Sequence, residues 1–246
     1  MRTRFLILVP LIAQPIAAQQ LQLHYDPRHW IAPAANPKNF PEIYFEYFRS
    51  FPRDSSLVQL GSFLLKMECD LLGVKDNIGR SYFQASQSFK CWEPDIFLNI
   101  QYSGGLGIAE PGAYGYYLTN TYSLGAAIPF QWDDVTWSAS ADYTYTAFAI
   151  PSQDARVSLY WWKGVMEYTI EFAGDIQCWT LDKGRGDAAS AGLRGKRVSF
   201  YGEPQVWVNL GKQFSIGTKI TLYYHILTTD ERVQAFPTLA VRYKVP

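Results

Sequence analysis

The chain has 246 residues, with 22 basic and 22 acidic residues and therefore no formal net charge. A protein without a basic excess offers no electrostatic field for nucleic acid, so that class of partner is excluded. Aromatic residues make up 16% of the chain, including 17 Tyr and 8 Trp. Aromatic side chains favour β-strands, and Tyr and Trp also suit membrane interfaces. The composition therefore favours an all-β protein.

The first residues have the layout of a secretion signal. Basic residues come first, an apolar run follows, and small residues close the segment: Arg2 and Arg4, then Phe5–Ile12, then Ala17 and Ala18. This order is typical of a cleavable signal peptide, and the apolar run is too short to anchor the chain as a helix. We predict a signal peptide at 1–18 and one domain at 19–246. No later apolar run reaches the roughly 18 residues of a membrane helix, which excludes a helical membrane protein.

Alternation of apolar and polar residues is the main pattern along the rest of the chain. It is clearest between Val135 and Ala147, where Ala141, Tyr143 and Tyr145 share one face and polar Asp142 lies on the other. Such alternation predicts a strand with one apolar and one polar face. The segment exceeds the usual strand of about 5–6 residues and reaches the 9–11 needed to cross a membrane in a tilted barrel.

Twelve strands are predicted from the same signals and from turn residues between them. They cover 19–25, 42–48, 58–70, 80–91, 95–103, 113–125, 134–148, 155–162, 165–180, 198–210, 213–225 and 236–245. The connections between them alternate in length; the long ones are 26–41, 71–79, 104–112, 181–197 and 226–235, and the short ones include 92–94, Lys163–Gly164 and Gly211–Lys212, with 126–133 somewhat longer.

Long outer loops and short periplasmic turns are typical of outer-membrane barrels. We therefore predict a transmembrane, antiparallel, up-and-down β-barrel of about 12 strands in the outer membrane of a Gram-negative bacterium. The alternative is a secreted β-sandwich or lipocalin-like barrel, which would bury the apolar face and whose strands are usually shorter.

The cysteines do not indicate a disulfide framework or a metal site. Their number is odd (Cys69, Cys91 and Cys178), and no Cys or His spacing typical of a metal site occurs. By alternation all three lie on the apolar face, so we interpret them as small apolar side chains. No metal and no cofactor is expected.

Four segments carry a resemblance to a known family. They are Leu21–Asp26, Tyr102–Gly107, Gly202–Gly211 and Phe236–Tyr243. In this order they resemble a poorly characterised family of outer-membrane proteins related to the Tsx nucleoside-specific channel. The resemblance implies a twelve-stranded barrel and passive uptake of nucleosides through a narrow, aromatic-lined lumen. The chain ends on Pro246, where the usual outer-membrane pattern has an aromatic residue.

The polar face of a membrane barrel lines its lumen. By alternation the lumen carries Glu42, Tyr44, Glu46, Lys66, Glu68, Asp70, Arg156, Tyr160, Trp162, Glu167, Glu171, Asp175, Trp179, Glu203, Gln205, Trp207, Asn209, Lys219, Tyr223, Arg242 and Lys244. The candidate pore-lining and solute-binding set is this list without Glu42, Asp70, Gln205, Asn209, Lys219 and Lys244. Charges of both signs beside aromatic rings suit a polar solute with a flat ring. A nucleoside, a sugar or an aromatic amino acid fits that description.

The predicted function is facilitated diffusion of nucleosides or similar small polar ring solutes. The expected partners are outer-membrane lipids and these solutes, and the oligomeric state stays open. One alternative is a plugged structural or interaction barrel, in which the lumen charges pair with one another. A less favoured alternative is a phospholipase-like enzyme, because only His24, His29 and His225 are available and the motif of that family is absent. We therefore predict that the protein is not an enzyme.

Overall fold

A computed structural model of the chain describes residues 17–34, 36–51, 58–90, 95–109, 114–226 and 231–245. Within them, thirteen strand segments form one antiparallel sheet. They are β1 (Ala17–Asp26), β2 (Phe40–Ser50), β3 (Gln59–Asp70), β4 (Arg80–Lys90), β5 (Phe97–Ala109), β6 (Tyr114–Trp132), β7 (Val135–Thr146), β8 (Ser152–Val165), β9 (Ile170–Asp182), β10 (Lys196–Gly202), β11 (Gln205–Asn209), β12 (Phe214–Tyr224) and β13 (Gln234–Val245).

The sheet closes on itself. Strand β13 pairs with β12 along one side and with β1 along the other, with Leu23 opposite Val241. Strands β10 and β11 both pair with β9 and with β12, so they are the two halves of one barrel strand. The molecule is therefore a closed antiparallel barrel of twelve strands, which confirms the predicted fold class.

The two ends of the barrel differ in the length of their connections. At one end, which we call the turn end, the strands are joined by tight connections such as the two-residue turn Asp133–Asp134 and the turn 166–169. The other end, the loop end, carries longer connections, including 27–39 and 183–195. Helix α1 (Arg28–Ile31) and short 3-10 helices at Val74–Asp76 and Ala188–Ser190 lie in the loop-end connections. Among the described residues, no helix is long and apolar enough to cross a membrane.

The side chains alternate between an outward apolar face and an inward polar face. On β7, Tyr143 is 52% exposed on the outside, whereas neighbouring Asp142 is 4% exposed in the lumen. Cys69 and Cys178 are unpaired and lie on the outward face, at positions opposite Ile43 and Val157. Polar groups therefore fill the interior and apolar groups cover the outside, which is the reverse of a soluble protein and typical of a membrane barrel.

Strands β5 and β6 extend well beyond their predicted ends. Strand β5 continues to Ala109 through residues predicted as a loop. Gly104 has no Cβ atom and so leaves room for the ring of Tyr102. The pairing with β6 continues after a register shift between Gly105 and Leu106. Strand β6 continues to Trp132, and Asp133 and Asp134 form the turn, both with positive φ. Positive φ at both central residues defines the tight hairpin turn that suits twisted strands. The predicted loops at 104–112 and 126–133 were therefore too long.

The predicted turn at Lys163–Gly164 was wrong. Strand β8 runs on to Val165, and the chain turns at 166–169, where Met166, Glu167 and Tyr168 have positive φ. Gly164 suggests a turn in the sequence, but the strand pairing continues through Gly164 to Val165, which lies opposite Ile170. Residues 1–16 of the predicted signal peptide, and Cys91, lie outside the described residues.

Candidate functional site

The lumen of the barrel is filled with polar and charged side chains. Lys219, Trp207 and Gln22 are 0% exposed, and Glu42, Tyr44 and Asp175 are nearly as deeply buried. Isolated buried charges are costly unless they are paired and hydrogen-bonded, so the pairing of these groups determines what the lumen does.

Seven charged residues meet in the middle of the lumen and form what we call the central charge cluster: Glu42, Glu46, Lys66, Glu68, Asp175, Glu203 and Lys219. The Nζ atom of Lys219 contacts Glu42, lies 2.9 Å from Glu203 and lies 3.8 Å from Glu68. The Nζ atom of Lys66 lies 3.0 Å from Asp175, 3.8 Å from Glu203 and 4.0 Å from Glu46. Each lysine thus has three carboxylates within reach, and Glu203 is shared by both.

The ion pair between Lys66 and Asp175 crosses the lumen. Lys66 is on β3 and Asp175 is on β9, which are the third and ninth of twelve strands and so lie on opposite sides of the barrel. A second link between distant walls joins Gln84 on β4 to the hydroxyl of Tyr160 on β8, at 3.4 Å. Side chains from facing walls therefore meet, and they bridge the lumen at this level.

A break in the barrel wall positions Glu203. Proline has no backbone N–H and interrupts a strand ladder, and Pro204 separates β10 from β11 directly after Glu203. The neighbouring strand accommodates the break at Gly174, where a Cβ atom would lie only 2.7 Å from the carbonyl oxygen of Glu203. The backbone N–H of Glu203 donates to the carbonyl of Asp175 at 2.8 Å, which holds the two carboxylates on adjacent strands.

Aromatic rings lie directly beside the charges. The His24 ring is 6.4 Å from Tyr44 and 6.0 Å from Trp207, both in edge-on geometry. Lys219 lies over the Tyr44 ring at 5.1 Å, and the Arg242 guanidinium lies over the Trp207 ring at 4.5 Å. These distances are within the range of cation–π attraction. The rings and cations therefore form a continuous row along one wall of the lumen, which we call the ring ladder.

A separate ionic group lies toward the turn end. Glu171 accepts from Arg242 at 2.7 Å and also contacts Lys244. The amide of Asn209 donates to Glu171 at 2.8 Å, and the Ser215 hydroxyl donates to Asn209 at 2.6 Å. These contacts tie β9, β11, β12 and β13 together below the ring ladder.

At the loop end, Arg28 folds back from α1 into the barrel. Its guanidinium lies 4.7 Å from the Phe40 ring and 4.6 Å from the Phe236 ring, and it donates to Asp26 at 2.6 Å. Burial lowers the pKa of Arg28, but the hydrogen bond to Asp26 and the nearby Asp26, Asp70 and Tyr223 side chains together outweigh burial, and the pKa is raised. Arg28 is therefore a permanent cation that fills the lumen next to β1, β2 and β13.

The structure brings most of the predicted site residues together. Six belong to the central charge cluster or lie over it, and the others line the adjacent lumen walls: Tyr44, Glu46, Lys66, Glu68, Asp175 and Glu203, and then Arg156, Tyr160, Glu171, Trp179, Trp207, Tyr223 and Arg242. Glu167 does not line the lumen, because it lies exposed in the turn 166–169. Trp162 is 40% exposed at the turn-end mouth, where it stacks on Tyr168 of that turn.

The candidate set missed residues that the lumen contains. Gln22 and His24 on β1 are almost fully buried. His24 Nε2 is hydrogen-bonded to Gln22 Oε1 at 2.7 Å, and His24 Nδ1 lies 2.8 Å from Thr238 Oγ1. The signal was present in the sequence, because Leu21, Leu23 and Tyr25 alternate with these polar residues. Lys219 and Glu42 had been placed in the lumen by alternation but left out of the candidate set.

The other two histidines lie outside this group. His29 contacts the carbonyl of Asn36 at 2.6 Å in the loop-end connection that carries α1. His225, just after β12, contacts the carbonyl of Val198 at 2.7 Å and lies 3.4 Å from exposed Glu231.

The closed twelve-stranded barrel with an apolar exterior and a polar lumen has the fold of a transmembrane β-barrel. The structure is similar to that of the NanC porin, with 8% identity and a TM-score of 0.53 over 93% of this chain and 100% of that one. It is also similar to the KdgM porin (8% identity, TM-score 0.46, 94% and 100% covered) and to OccAB3 of Acinetobacter baumannii (8% identity, TM-score 0.44, 95% and 100% covered). At this level of identity the likeness to NanC concerns the fold.

The chain belongs to the family described as a domain of unknown function, DUF5020, whose profile matches residues 18–245. No curated protein matches the sequence.

Proposed function

We propose that the protein is a narrow outer-membrane channel for facilitated diffusion of small polar ring solutes such as nucleosides. The observation that carries this proposal is the ladder of rings and charges in the lumen, built from Tyr44, His24, Trp207 and Arg242 with Lys219 beside it. Flat rings offer stacking surfaces, and the surrounding donors and acceptors replace part of a solute's hydration shell. Nucleosides match both features, and the motif resemblance to Tsx-related proteins supports the same choice.

Passage requires the central charge cluster to open. Each lysine has three carboxylates within 4.0 Å, so its ammonium group can transfer from one partner to another without losing all its ion pairing. Movement of Lys66 from Asp175 toward Glu46, on its own side of the barrel, would break the link across the lumen. We interpret the conformation described here as the closed state of the channel, with Lys66 as the element that gates it.

A second candidate is a plugged barrel with a structural or interaction role. The pair between Lys66 and Asp175 favours it, because a network that joins opposite walls also stiffens the barrel. The two candidates differ in whether solutes pass, which is measurable.

In the proposed setting the signal peptide 1–18 directs export, and the mature chain begins at Gln19. The turn end, which holds the short connections, faces the periplasm, and the loop end faces the outside. Lipids of the outer membrane surround the outward apolar face.

Uptake into liposomes tests the proposed function. Vesicles containing the purified protein should take up labelled adenosine and uridine faster than empty vesicles, and faster than they take up an acyclic polyol of similar mass. Replacing Trp207 by alanine should remove this preference for rings while the polyol still enters, because ring stacking contributes about 1–3 kcal/mol per base in nucleic-acid sites.

The matched control is Trp30→Ala, because Trp30 is an exposed tryptophan on α1, outside the lumen. It should behave as the unmodified protein. Vesicles that take up neither nucleoside nor polyol would favour the plugged barrel. Equal uptake of nucleosides and polyol would leave a channel without the proposed specificity.

A further inference from the structure

The central charge cluster contains more negative than positive groups. It has five carboxyl and two amino groups, which gives a formal charge of −3 when all seven are ionised. His24, which lies beside Tyr44, is held by Gln22 and Thr238 rather than by a carboxylate. The two lysines therefore leave this part of the lumen with uncompensated negative charge.

The neighbouring charged groups do not cancel this excess. Toward the loop end, Asp26 pairs with Arg28 and Asp70 pairs with Arg80, so each pair is neutral. On the wall formed by β7 and β8, Asp142 likewise pairs with Arg156. Toward the turn end, Glu171 faces Arg242 and Lys244, which gives a single positive charge. The net formal charge at the central charge cluster therefore stays negative.

Two carboxylates of the cluster, Glu42 and Glu68, converge with Asp70, whose own charge is balanced by Arg80. Oxygen atoms of Glu42, Glu68 and Asp70 lie within 4.8 Å of one another. Asp70 uses its Oδ2 atom to accept from Arg80 at 2.8 Å. Its Oδ1 atom is buried and, within the described residues, receives no hydrogen bond. An acceptor therefore faces a site where cations would be stabilised and anions repelled.

We infer that the central charge cluster makes the lumen selective for cations over anions. The solutes of this channel are then neutral or positively charged ring compounds that carry hydrogen-bond donors, whereas sugar acids and nucleotides are excluded. Rings of Asp and Glu side chains select cations in other channels for the same electrostatic reason. This inference rests on the proposed channel function and specifies its solute class.

The reversal potential of the current across a planar bilayer measures this selectivity. With a KCl gradient across the membrane, the unmodified protein should be several-fold more permeable to K⁺ than to Cl⁻. The double variant Glu42→Gln and Glu68→Gln removes two negative charges while Lys219 keeps Glu203 at 2.9 Å. Its permeability ratio should fall toward one. Asp76→Asn removes an acid from the loop-end surface, outside the lumen, and should keep the original ratio.

The outcomes separate this inference from the function on which it rests. Heat-modifiable migration on gels shows first that each variant is folded. Currents that prefer Cl⁻, that prefer neither ion, or that keep the same ratio in the double variant would overturn cation selectivity and leave the channel intact. Absence of current in all three proteins would contradict the channel itself, and the inference would fall with it.

Discussion

Replacing Lys219 by methionine is expected to lower the free energy of unfolding by about 3–5 kcal/mol, because removal of one partner of a buried ion pair leaves the other charge uncompensated. Methionine has nearly the volume of lysine, so packing is preserved while the charge is lost. Lys219 is fully buried and holds Glu42 and Glu203, which are themselves buried. Urea unfolding in lipid vesicles, followed by tryptophan fluorescence, measures the change.

The matched control is Lys38→Met. Lys38 pairs with Asp76 at 2.9 Å, but this pair is at the surface of the loop end, and Asp76 is largely exposed. Exposed ion pairs contribute about 0–1 kcal/mol. A loss for Lys219→Met as small as that for Lys38→Met would mean that the central charge cluster does not stabilise the barrel through its ion pairs.

Arginine at Ala141 should cost about 2–4 kcal/mol of folding free energy, which is the cost of a basic residue on the lipid face near the bilayer midplane. Ala141 lies near the middle of β7, on the same outward face as Tyr143. The control is Ser140→Arg, one residue away on the opposite face, where the Ser140 hydroxyl donates to Asp142 at 3.0 Å. An arginine there meets a carboxylate in a polar lumen and should cost less.

The same unfolding measurement distinguishes the two positions. Equal losses for Ala141→Arg and Ser140→Arg would contradict the assignment of faces, and with it the placement of the barrel in a membrane. A larger loss at Ser140 would indicate a soluble barrel with its apolar face inside.

The strand pattern was predictable because alternation is a local property. The residues of β7 show it without interruption, and the structure has that strand within two residues of the predicted bounds. Strand ends were harder to predict, since glycine is ambiguous: Gly104 and Gly164 signalled loops but lie inside strands. There, close aromatic side chains occupy the space that a Cβ atom would need.

The composition of the lumen was predictable in the same way, but the contacts between its facing walls were not. Alternation placed Lys66 and Asp175 on the inward face, yet they are 109 residues apart in the chain. Which inward residues meet across a barrel depends on strand tilt and stagger, which a single sequence does not encode locally. Glu167 illustrates a different error. Alternation predicts that it faces the lumen, but this holds only within a strand, and Glu167 lies in the turn between β8 and β9.

Current through a planar bilayer is the most direct test of the central claim that this barrel is a channel closed by Lys66. The unmodified protein should show brief openings of small conductance. Lys66→Ala, which removes the link to Asp175 across the lumen, should open for longer and carry a larger current, whereas Lys38→Ala at the loop-end surface should match the unmodified protein. If neither folded Lys66→Ala nor the unmodified protein carries any current, the claim is contradicted and the barrel is plugged.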